Sequence, residues 1–149
     1  MSALESVIKS VREWQPKPLP NELKYRDSLI AHLREKLPKE KIEPEYRHFG
    51  TTTDIYVKQD GFFGSSEVFV ELKRNLQSKA QLDRLVGQVE ALEPKKNAVL
   101  IILCGETNPA LLTRLKERYV KTPSAHMVMG VKQLHVISVN DATMRFGSG

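Results

Sequence analysis

The order of segments predicts an α/β fold, with a mixed central β-sheet flanked by helices. Three observations carry that expectation. Apolar residues recur at helical spacing in four stretches: Ser2 to Trp14, Asn21 to about Leu37, Ser78 to Leu92, and Asn108 to Tyr119. Two β-branched segments, 51–57 and 67–73, flank the turn-forming run Gln59-Asp60-Gly61-Phe62-Phe63-Gly64 and read as a hairpin. The stretch from Asn97 to Leu103 is almost wholly apolar, which suits a strand buried on both faces.

Each element has its own signals. In the first helix Leu4, Val7, Ile8, Val11 and Trp14 make the stripe, and Ser2 with Glu5 matches a capping box. Gln15-Pro16-Lys17-Pro18-Leu19-Pro20 then breaks the helix, because proline lacks a donor and restricts the residue before it. Residues 1–20 are therefore expected to be an appended helix and Pro-rich linker, with packing on its own domain favoured over packing on a partner. Asn21 caps the second helix, whose stripe is Leu23, Ile30, Leu33 and Leu37. Glu22 and Arg26 fall within that stripe. They form either an ordinary i,i+4 pair or part of a site. Pro38 ends the helix. Lys41 to Arg47 reads as a first strand anchored by Ile42 and Tyr46, and Pro44 assigns it to a sheet edge.

Ser78 and Gln81 form a second capping box, ahead of the stripe Leu82, Leu85, Val86, Val89 and Leu92. Gln88 lies at the margin of this stripe, on the edge that also carries Gln81. Pro94 closes the helix, and Leu134 to Val139 is the last strand. The main domain is expected over 21–140, with 141–149 as a disordered tail.

Composition narrows the classes of function. A chain of 149 residues suits one domain with a real core. No apolar run approaches the length that crosses a bilayer, and charges from Glu5 onward do not fit a signal peptide. The single cysteine, Cys104, ends an apolar run and reads as a buried, inert thiol. A reducing, cytoplasmic compartment is expected, with no membrane partner. A net charge of +5 and a pI near 9.4 permit a polyanionic partner, although acids are interleaved with the bases and no basic arm exists. His32, His48, His126 and His135 are too scattered for a zinc site. Neither a nucleophile elbow nor a phosphate-binding Gly-rich loop is present.

The chemistry concentrates in the hairpin. Strand residues i and i+2 share a face, so Glu71 and Lys73 point together, away from Val68, Val70 and Leu72. Pairing of the two segments brings Asp54 close to Glu71. Two carboxylates and an amine then converge, as a divalent-metal hydrolytic site requires. Alone, an acid and a lysine on a strand are more often a solvated face or a cross-strand ion pair. The order of parts favours the site: a helix with an acid, a strand with Asp, a hairpin, a strand ending Glu-Leu-Lys, then a helix with Gln.

That order resembles the PD-(D/E)XK nuclease superfamily, from about Asn21 to Cys104. The resemblance rests on Glu22 in Asn21-Glu22-Leu23-Lys24-Tyr25-Arg26, Asp54 in Gly50-Thr51-Thr52-Thr53-Asp54-Ile55, Val70-Glu71-Leu72-Lys73, and Gln88 in Leu85-Val86-Gly87-Gln88-Val89. Thr53 stands where the family name has Pro, a position without chemistry. The resemblance implies a restriction-endonuclease-like core with the acids at one end of the strands. It also implies that Asp54, Glu71 and the carbonyl of Leu72 hold Mg²⁺ or Mn²⁺, with Glu22 binding directly or through water. Lys73 would orient or help deprotonate the attacking water, and Gln88 would be an auxiliary group. Arg74, Lys79 and His48 are candidate contacts to the nucleic-acid backbone.

The expected activity is metal-dependent hydrolysis of nucleic acid, with DNA the first expectation. A homodimer or a larger parent protein is left open. The alternatives are a catalytically silent module that binds nucleic acid or protein on the same fold, and a structural domain whose acids form surface ion pairs.

Overall fold

The structure is a computed structural model that describes residues 2–48, 51–62, 64–92, 98–120 and 133–139. The elements run α1 (Ala3–Glu13), α2 (Glu22–Lys36), β1 (Lys41–His48), β2 (Thr51–Gly61), β3 (Gly64–Arg74), α3 (Lys79–Ala91), β4 (Ala98–Cys104), α4 (Pro109–Val120) and β5 (Gln133–Val139). The strands form one mixed sheet in the order β1-β2-β3-β4-β5. The first three are antiparallel neighbours, while β3, β4 and β5 are parallel. The α/β fold with helices flanking a central sheet is thus as the sequence predicts.

Alternation along the strands sorts the core into two layers. Ile55, Val57, Val68, Val70, Leu72, Leu100 and Ile102 pack with α1 and α2. Tyr56, Phe69, Val99, Ile101 and Leu103 pack with α3 and α4. Every residue of β4 is buried, the expected state for an apolar strand covered on both faces. Cys104 ends that strand, and burial pushes its thiol up to about 12, so it is inert at neutral pH. Among the described residues no helix is long and apolar enough to cross a membrane.

α1 packs on its own domain. Ala3, Leu4, Val7, Val11 and Trp14 belong to the same core as α2 and the sheet. Trp14 meets Tyr25 edge to face at 6.3 Å between ring centres, and its indole N–H donates to Ser28 Oγ at 3.1 Å. The hydroxyl of Tyr25 accepts the N–H of Leu19 at 3.1 Å, so the Pro-rich linker is tied down as well.

These contacts correct the expected stripe of α2. The buried residues are Tyr25, Leu29, Ile30 and Leu33, whereas Leu23 is half exposed. The reason is tertiary. α1 and the linker offer Tyr25 a ring contact and a donor, and the helix turns to use them. The hairpin is longer than predicted, since β2 reaches Gly61 and β3 begins at Gly64, with Phe62 in a turn. Gly64 has φ +126°, which L side chains rarely adopt. β1 lies at the edge next to β2 and contains Pro44, as expected. Ser78 and Gln81 complete the predicted capping box of α3. Pro94, His126 and the tail 141–149 lie outside the described residues.

Candidate functional site

The register of β2 on β3 pairs Ile55 with Val70. Just beyond that last pair, the carboxyls of Asp54 and Glu71 lie near enough for each to shift the ionisation of the other. Asp54 Oδ2 also accepts the backbone N–H of Leu72 at 2.8 Å. Glu71 is 1 % exposed. Its Oε1 lies 2.9 Å from Thr53 Oγ1, which is also 3.2 Å from the carbonyl of Val70.

A buried carboxylate beside a half-buried one cannot share the ionised state cheaply. Burial first, and then the charge of Asp54, push Glu71 up to about 8. Burial also raises Asp54, against the opposing effect of the Leu72 N–H. The charge of Glu22 raises Asp54 further, while the Glu71 hydrogen bond and the charge of Arg26 favour its ionised form. With its carboxyl raised to about 8, Glu71 favours the protonated form at neutral pH.

Lys73 follows Glu71 on the same strand face, but its ammonium is not free. Lys73 Nζ stands 3.2 Å from Glu22 Oε1. The same oxygen accepts the backbone N–H of Arg74 at 2.9 Å. The first turn of α2 is thereby pinned to the end of β3. The i,i+4 pairing open to Glu22 and Arg26 does not form. Arg26 instead reaches Glu45 on β1 at 2.7 Å and Asp27 at 3.2 Å. Its Nε is buried without a hydrogen-bond partner.

The predicted site residues therefore divide. Glu22, Asp54, Glu71, Leu72 and Lys73 come together. Arg74 adjoins them through its backbone, while its Nε donates to the carbonyl of Leu19 at 3.2 Å. Gln88 lies apart, exposed on α3. It lines an open cleft of about 810 Å³ together with Thr52, Asp83 and Arg84. Thr52 stands two residues before Asp54 on β2, and the acids themselves do not line this cleft. Lys79 is exposed in the first turn of α3. The backbone of His48 pairs with Thr51 at the edge of the sheet, and its side chain lies outside the described residues.

Sequence reasoning gave no role to Thr53 or Glu45. A threonine beside an acid in a buried strand is a usable signal for Thr53, whereas Glu45 offers none, because its partner lies 19 residues away.

Among the described residues no three His, Cys, Asp or Glu side chains are grouped to hold a metal ion. The donors in hand are two neighbouring carboxylates, with the Leu72 backbone next to them. Such oxygen donors fit a hard divalent cation that keeps several of its waters, and the raised Glu71 carboxyl marks where positive charge is wanted. Compared with protein-family models, with curated proteins and with solved structures, the chain gives no match.

Proposed function

We propose that this chain is a metal-dependent phosphodiesterase of PD-(D/E)XK type that acts on nucleic acid, with DNA as the first substrate to test. The observation that carries the reading is the closeness of Asp54 and Glu71 on adjacent strands, with Lys73 one alternate residue further along. The order of these groups along the chain is the second support.

Asp54, Glu71 and the carbonyl of Leu72 would hold Mg²⁺ or Mn²⁺. The ion would polarise the phosphate and acidify a water. Thr53 keeps the Glu71 carboxyl in place, and the Leu72 N–H does the same for Asp54. Lys73 supplies an ammonium to orient water or offset phosphate charge, and Glu22 sets where that ammonium rests. Gln88, on the wall of the neighbouring cleft, would touch the substrate and not the ion.

A second reading has its own support. Lys73 is already neutralised by Glu22, and Glu71 by a proton, so the charges balance without an ion. Such balance also suits a silent binding module on the same fold.

Incubation with supercoiled plasmid, linear duplex, single strands, branched DNA and RNA, each with Mg²⁺, Mn²⁺ or EDTA, separates the two. The nuclease cuts at least one substrate only with metal, and Asp54→Asn abolishes the cut. Binding without cleavage selects the module. Equal cleavage by wild type and Asp54→Asn would remove the site from the mechanism.

A further inference from the structure

Arg26 is held in an arrangement that costs the fold energy twice. Its guanidinium Nε is buried and has no partner, although buried polar atoms are nearly always satisfied. Its main partner, Glu45, adopts φ +49°, a left-handed conformation uncommon for a residue with a side chain. Glu45 is nevertheless 68 % exposed along its side chain, against 16 % for Arg26. Asp27, the second partner at 3.2 Å, is also exposed, and screened, exposed carboxylates hold a largely buried cation less firmly than buried ones would.

The placement of α2 explains where Arg26 sits. Glu22 anchors the helix to the end of β3 through Arg74 N–H, and Arg26, one turn later, anchors it to Glu45 on β1. Between those strands lies β2. Glu45 falls between the ladder pairs Pro44–Ile55 and Tyr46–Thr53, and so at the level of Asp54. The two anchors thus bracket Asp54, and Arg26's charge acts on it.

We infer that Arg26 is a phosphate-binding residue of this site, and that Glu45 occupies the guanidinium until a phosphate group displaces it. The inference deepens the phosphodiesterase reading and rests on it for the identity of the natural ligand. Guanidinium presents its donors in a planar fork that matches phosphate oxygens, and lysine cannot reproduce this. A phosphate entering beside Asp54 would satisfy the idle Nε–H and release Glu45 to water. The exposure of Glu45 makes that exchange easy. The exposed Lys24, two residues before Arg26, serves as a control because its side chain takes no part in the site.

Two measurements on the full chain test this. The first follows the Arg26 Nε–H signal by NMR during titration with inorganic phosphate, with Arg26→Lys used for assignment. The second measures binding of a fluorescein-labelled DNA duplex and single strand by anisotropy, with Ca²⁺ in place of Mg²⁺. Saturable movement of the Nε–H signal is expected. Arg26→Ala and Arg26→Lys should each weaken oligonucleotide binding by about tenfold or more, the scale of a charge-assisted contact. Glu45→Gln should tighten it by up to about fivefold, since a competing exposed charge is removed. Lys24→Ala should bind as wild type does. An unmoved Nε–H signal overturns the inference, as does wild-type affinity in both Arg26 variants while wild type still cleaves DNA. If Glu45→Gln weakens binding in step with a lower melting temperature, Arg26 and Glu45 are structural and the inference fails. If wild type cuts no nucleic acid but the Nε–H signal still saturates with phosphate, the anion site stands and the phosphodiesterase reading falls.

Discussion

Glu22 Oε1 receives two donors at once: the ammonium of Lys73 at 3.2 Å and the backbone N–H of Arg74 at 2.9 Å. One carboxylate oxygen on α2 therefore fixes both the end of β3 and the lysine that β3 carries. The contact holds the Lys73 ammonium over the first turn of α2.

Lys73→Ala should keep divalent-metal affinity, because Asp54 and Glu71 remain. Turnover should fall by at least about a hundredfold, the usual scale for a positioned acid-base or electrostatic group. Calorimetry for the ion and single-turnover cleavage for the rate make the comparison. Turnover near that of wild type would reduce Lys73 to a surface charge.

Asp54 needs a careful substitution. Its Oδ2 accepts the Leu72 N–H, and Asp54→Ala would leave that donor unpaired at a cost of about 1–3 kcal/mol. Asp54→Asn keeps an acceptor and removes the charge that repels Glu71 and Glu22. Metal binding should vanish in Asp54→Asn while the melting temperature holds or rises. Asp54→Ala should lose both metal binding and stability. Intact Mn²⁺ affinity in Asp54→Asn, read by calorimetry, would contradict the site assignment.

Gln88 is exposed on α3, so Gln88→Ala removes almost no core burial. The melting temperature should stay within about one degree of wild type, as for surface changes away from any special contact. Substrate affinity should weaken while metal affinity does not change, since Gln88 lines a cleft whose lining does not include Asp54 or Glu71. Unaltered kcat and KM would take Gln88 out of the site.

Past the site, the ends of β3 and β4 are locked together. Asn75 takes φ +54°, donates its N–H to the carbonyl of Cys104 at 2.9 Å, and accepts the N–H of Glu106 on its side chain at 2.9 Å. Gly105 sits between with φ +68°, and a Cβ there would stand 2.2 Å from Asn75 Oδ1. Gly105→Ala should destabilise the protein by about 1–3 kcal/mol through strain and the broken clamp, measured by urea denaturation. Stability equal to wild type would mean that the loop relaxes freely.

The parts legible in the sequence were those governed by short periods. Alternation in Val68 to Lys73 separates Glu71 and Lys73 from the aliphatic residues, and pairing of the hairpin brings Asp54 near Glu71. The capping pair Ser78 and Gln81 was equally local. What distance in sequence hides is partner choice. Glu22 and Arg26 sit one turn apart and suit an i,i+4 pair, yet they reach strands at opposite sides of β2, to partners that lie 52 and 19 residues away in the chain. The helical stripe of α2 was misread for the same reason, since Tyr25 answers to Trp14 and Leu19 and not to its own helix. The exposed Leu23 is the residue that this rotation displaces.

Glu71 should also make stability depend on pH. Its carboxyl is raised from 4.5 to about 8 in the folded protein. Between those values the native state keeps a proton that the unfolded chain has lost. Stability from this group is therefore fully present below about pH 4.5, falls as pH rises, and is gone above about pH 8, a change on the order of a few kcal/mol. The upward shift of Asp54 acts in the same sense. Glu71→Gln removes this titration. Denaturant unfolding in EDTA from pH 5 to pH 9 should show the wild-type free energy dropping relative to Glu71→Gln, which becomes the more stable of the two at high pH. A divalent cation competes with the same proton, so wild-type affinity for Mg²⁺ should climb across the same interval and level off above it. Parallel pH curves for the two proteins would mean that Glu71 is ionised in the native state.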